Sequence, residues 1–124
     1  MDTIPELEHL ALRILEEYDE EGGRYVARCL ETGAVVTAPN AEPLRALIEE
    51  NIRLEISLAL KSGNFGNLWR QQAPPDVWVR WHRAAGSGQA TDFKMPLNLT
   101  TGTIPRREVK SEIQITKASI SRTA

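Results

Sequence analysis

The sequence predicts an α+β fold: a three- to four-stranded, mainly antiparallel sheet in the order β-β-β-α-β, with one long helix packed on one face. Three observations predict it. Between residues 10 and 38 apolar and polar residues alternate in short segments, the period of half-buried strands. Gly22-Gly23 and Gly33 punctuate those segments, where tight turns need positive φ. From Leu44 onward the apolar spacing changes to three and four, the period of a helix.

Residues 1–7 read as a frayed arm. The first strand is predicted over Leu10–Tyr18, with Leu10, Leu12 and Ile14 on one face. The second covers Tyr25–Leu30, with Tyr25, Ala27 and Cys29 on one face and Val26, Arg28 and Leu30 on the other. The third covers Ala34–Ala38 after the turn Glu31-Thr32-Gly33. Asn40 is the expected N-cap, Pro43 fits the first helical turn and Glu42 complements the helix dipole. The helix is expected to run to about Lys61, with Gly63 as its C-cap. Its stripe is Leu44, Leu47, Ile48, Ile52, Ile56, Ala59 and Leu60. Leu54 and Leu58 widen it, and the aromatics that follow are the expected cover.

Pro74-Pro75 is expected to stop any helix, and Val77–Trp81 alternates as a fourth strand. At Ala84-Ala85-Gly86-Ser87-Gly88 the composition shifts towards Ser, Thr and Gly. The predicted division is therefore an α+β unit over residues 1–85 and a disordered or loosely docked tail over 86–124, within which Val109–Ile115 is the one candidate strand.

Charge follows the same division. The chain carries a net −2. Residues 1–85 hold nine Lys+Arg against fourteen Asp+Glu, and residues 86–124 hold six against three, so the body is acidic and the tail basic. An acidic body suits a basic partner. A single cysteine, Cys29, excludes an intrachain disulfide and a thiolate zinc cage. His9 and His82 form no metal-binding spacing, so no metal or cofactor is expected. The N-terminus has no basic segment leading into an apolar run, and no stretch suits a bilayer span. These features predict a cytoplasmic protein away from membranes.

No catalytic constellation emerges. Glu16, Glu17, Asp19 and Glu31 come nearest to a metal-dependent nuclease site, but they fall at strand ends and turns, where solvated carboxylates belong. Cys29 reads as a small core residue. The candidate interface residues are Glu42, Glu49, Glu50 and Glu55 on the polar side of the helix, an acidic surface for a basic partner. Trp69 and Trp78 join them, because tryptophan anchors interfaces as readily as it packs cores.

Gly22-Gly23-Arg24-Tyr25-Val26-Ala27, then Glu31-Thr32-Gly33, then the helix start Asn40-Ala41-Glu42-Pro43-Leu44 with Glu49-Glu50-Asn51-Ile52, resemble the N-terminal domain of HicB-type antitoxins, a partial RNase H-like fold. The resemblance covers about residues 8–82. It implies a protein-binding module that neutralises a small HicA-like mRNA-cleaving toxin by covering it. The family's appended DNA-binding domain has no counterpart, since residues 86–124 show no amphipathic helix pair. The alternatives are a solitary homo-oligomeric scaffold, favoured by exposed sheet edges, and a metal-dependent nuclease.

Overall fold

A computed structural model of the protein describes residues 10–100 and 108–120. The arm expected at residues 1–7, and His9, lie outside the described residues. β1 (Ala11–Asp19), β2 (Arg24–Cys29) and β3 (Val35–Ala38) form the expected antiparallel meander. α1 (Leu44–Ser62) follows, then a 3₁₀ turn (Phe65–Trp69) and α2 (Pro75–Gly86). β4 (Ala90–Thr100) and β5 (Glu108–Ser119) complete a five-stranded sheet in the order β3-β2-β1-β5-β4. β5 runs parallel to β1, and every other pair is antiparallel.

The α+β class and the long helix are as predicted, with five strands where three to four were expected and with a second helix. Val77–Trp81 is helical. Val77, Trp81 and Ala84 are buried at spacings of four and three, so they form one helix face rather than alternating across a sheet. Pro75 starts this helix instead of stopping one. At N1 its missing N–H costs nothing, and Asp76 sits beside the positive end of the dipole. Residues 90–100 and 108–119 are no loose tail but two strands of the sheet. β5 inserts between β1 and β4, and Ile113, Ile115 and Ala118 are fully buried.

α1 starts at Leu44 with Pro43 at the N-cap and no side-chain cap, so Asn40 does not serve as predicted. Residues 41–43 turn first, and the Leu44 amide donates to the Ala41 carbonyl at 3.2 Å. The C-cap is Gly63 at φ 71°, as expected.

The sheet separates two cores. On one face Leu12, Ile14, Ala27, Cys29, Met95, Leu97, Ile113 and Ile115 pack against Leu44, Ile48, Ile52 and Ile56 of α1. On the other, Leu15, Leu30 and Ala118 pack against Val77, Trp81 and Ala84 of α2. The Trp81 indole donates to the Ile14 carbonyl at 3.1 Å, tying α2 to the central strand.

The chain passes from one helical layer to the other around the β2–β3 turn. There Gly33 has φ +78°, and a Cβ on it would overlap the Gln71 carbonyl oxygen. The Ala73 amide donates to the Leu30 carbonyl at 2.8 Å. Only glycine admits both this φ and this approach.

Candidate functional site

At 100° per residue, the buried stripe of α1 is flanked by two different surfaces. One flank, carrying Arg45, Glu49 and Arg53, is engaged with β4 and with itself. Arg45 lies 4.0 Å over the Phe93 ring and 3.6 Å from Glu49, and Arg53 donates to the Pro96 carbonyl at 3.2 Å. The other flank carries Leu47, Leu54 and Leu58, exposed to 44%, 59% and 57%. The aromatics expected to cover them lie elsewhere. Trp69 packs against the α1 core. Trp78, on α2, packs against the second core, its indole donating to the Ala73 carbonyl at 3.2 Å. Neither tryptophan is a free anchor.

Leu47, Asn51, Leu54 and Leu58 are spaced four, three and four apart, the spacing of a helix–helix seam with one polar position. On the same helical count, Glu50 and Glu55 border it on either side. The four predicted glutamates therefore do not form one patch. Glu42 is exposed in the turn before α1, Glu49 is turned towards β4 and paired with Arg45, and Glu50 and Glu55 frame the leucines.

Beside Leu58 the surface opens into a cleft of about 480 Å³, within the usual range for small-ligand sites. Its walls are the C-terminal half of α1 (Glu55, Leu58, Ala59, Ser62), Thr32 of the β2–β3 turn, and Asn67, Leu68, Arg70 and Gln71 from the interhelical connection. Glu55 is half-buried. Its Oε2 is sealed from solvent with no hydrogen-bond partner. Burial pushes its carboxyl above the usual glutamate range, and a hydrogen bond with the Thr32 side chain only partly offsets that. Thr32 and Gln71 could not be assigned from sequence, because the tertiary fold brings them to α1. Glu55 did carry a signal: it lies three residues from Ile52 and four from Ala59, on the margin of the buried stripe.

The carboxylates nearest to a nuclease pattern are dispersed. Glu16 pairs with Lys117 at 3.4 Å. Glu17 takes Arg80 in a bidentate grip at 2.8 and 3.1 Å, and Arg80 also holds Asp76. That second contact holds the fully exposed Asp76 carboxyl below its ordinary range. Glu31 is buried and receives both the backbone amide and the guanidinium of Arg13 at 2.7 Å each. Glu16 and Glu17, as neighbours on one strand, project to opposite sheet faces. Among the described residues no three metal-ligating side chains come together. Cys29 is wholly buried, and burial pushes its thiol up to about 11, so it stays protonated at neutral pH.

Comparison of the chain with protein-family models, with curated proteins and with solved structures finds no match. Among the described residues, no helix is long and apolar enough to cross a membrane.

Proposed function

We propose that this protein is a cytoplasmic protein-binding module that performs no chemistry itself and docks a basic helix of its partner along the outer flank of α1. The observation that carries the reading is the Leu47-Asn51-Leu54-Leu58 seam, its three leucines exposed, between Glu50 and Glu55. An amphipathic helix laid on such a seam buries leucine on leucine, and basic residues at its margins meet the two glutamates. The resemblance to HicB-type antitoxins supplies the partner class, a small basic HicA-like toxin that cleaves mRNA and is silenced by being covered. The acidic balance of residues 1–85 favours the same partner sign.

A homo-oligomeric scaffold is the less supported reading. Pairing α1 with a second copy, parallel or antiparallel, sets glutamate against glutamate at the margins of the seam, which repels. The long open edge of β4 is blunted as well. Pro96 has no N–H to offer at mid-strand, and Arg53 occupies its carbonyl.

Co-expression with a small basic HicA-like toxin tests the proposal. The expected result is a co-purifying complex in which RNA cleavage is blocked, with both effects lost in Leu54→Glu/Leu58→Glu. A toxin fully active in excess of this protein refutes it.

A further inference from the structure

The cleft at the end of α1 holds two charges of opposite sign that do not meet. Glu55 has a sealed, unpartnered carboxylate oxygen and forms no ion pair with the described residues. The Arg70 backbone amide donates to the Asn67 carbonyl at 3.4 Å, while its guanidinium makes no hydrogen bond or ion pair with the described residues. Asn67 and Gln71, with Leu58, Ala59 and Leu68, line the same cleft. Glu55 borders the cleft, so a turn of its side chain brings the covered carboxylate oxygen to the opening, where a ligand N–H recovers the free energy that the missing donor costs. A guanidinium is the side chain best shaped to grip a carboxylate.

The back wall is fixed before any ligand arrives. Gly33 seats the Gln71 carbonyl directly against the β2–β3 turn, the Ala73–Leu30 hydrogen bond clamps the same segment, and Leu68 is anchored in the core. Thr32 is held too, since its hydroxyl takes the Ala34 amide at 3.3 Å while serving Glu55. Such preorganisation lowers the ordering cost of binding.

We infer that this cleft binds a small amino-carboxylate zwitterion, its ammonium on Glu55, its carboxylate on Arg70 and its carbon skeleton along Leu58 and Leu68. This site does not depend on the helix-docking reading, and its test uses the protein alone.

Titration of the ¹⁵N-labelled protein with glycine, leucine and 6-aminohexanoate, each to about 50 mM, tests the inference and resolves the preferred charge separation. At least one is expected to shift amides of residues 55–59 and 67–71 in a saturable manner. N-acetylleucine and 3-methylbutylamine, each lacking one charge, are expected to bind at least about tenfold more weakly. Glu55→Gln and Arg70→Gln are each expected to weaken the preferred zwitterion by about tenfold while leaving the rest of the spectrum unchanged. The inference is overturned if none of the three shifts these amides, if the single-charge analogues bind equally well, or if both variants bind as the parent does.

Discussion

Gly33→Ala is the perturbation that probes the joint between the two helical layers most sharply. Two costs add at this position. Alanine at φ +78° carries the left-handed penalty, about 1–2 kcal/mol. Its Cβ also overlaps the Gln71 carbonyl oxygen and lies 2.9 Å from the carbonyl carbon, both backbone atoms that cannot rotate aside. The connection must then retreat by about 1 Å or more, which strains the 2.8 Å Ala73–Leu30 hydrogen bond, itself a contribution of about 1 kcal/mol. The combined loss is about 3 kcal/mol, a large share of the stability of an ordinary domain. Gly63→Ala is the matched control. It has nearly the same φ, +71°, but a Cβ there meets nothing within 4 Å, so only the backbone penalty of about 1 kcal/mol applies. Urea unfolding of both variants beside the parent gives the difference directly. With a slope of about 1.5 kcal/mol/M, Gly33→Ala is expected to lower the midpoint by about 2 M and Gly63→Ala by less than about 1 M. Equal losses in the two variants would refute the close packing of the interhelical connection on the β2–β3 turn.

Other predictions follow from the same contacts. Trp81→Phe leaves the Ile14 carbonyl without its indole donor and is expected to cost about 1–2 kcal/mol in urea unfolding with an unchanged slope; a loss below about 0.5 kcal/mol would contradict the bond. Cys29, buried with its thiol pushed up to about 11, is expected to react with iodoacetamide at pH 8 only as fast as the protein opens, whereas rapid stoichiometric labelling of the native protein would show the thiol accessible. The fold holds the Glu55 carboxyl above its ordinary value of 4.5, so ionised Glu55 costs stability above its folded-state pKa, and that cost disappears as the pH falls through it. Glu55→Gln is therefore expected to be more stable than the parent at pH 8, by no more than about 1 kcal/mol because the side chain is half in solvent, with the gain vanishing below pH 4.5. An advantage that grows on acidification would reverse the assignment.

The legible part of the fold is the part fixed by local pattern. β1–β3 and the C-terminal end of α1 are specified by alternation, turn glycines and helical spacing within a residue or two, because each pattern is complete inside its own segment; α1 starts three residues later than the Asn40 cap implies. β4 and β5 are not. β4 contains Asp92, Pro96 and Asn98, poor strand formers, and is held by pairing with β5, while β5 owes its place to β1, about a hundred residues away in sequence. Val77–Trp81 misleads because Val-Trp-Val-Arg-Trp alternates, while the burial that decides its structure follows the four-residue step from Val77 to Trp81. The candidate site divides in the same way. Leu54 and Leu58 are visible as an unusually wide stripe, but their exposure depends on where Trp69 and Trp78 pack. The cleft is assembled from three segments that only the tertiary fold brings together.

The most direct test of the docking reading is an amide-perturbation map of the ¹⁵N-labelled protein bound to a small basic HicA-like toxin. Docking along α1 is expected to perturb residues 47–58, centred on Leu54, while leaving the α2 face and the β4 edge unchanged. A bound complex whose perturbations fall on α2 or on β4, with residues 47–58 unaffected, would contradict it.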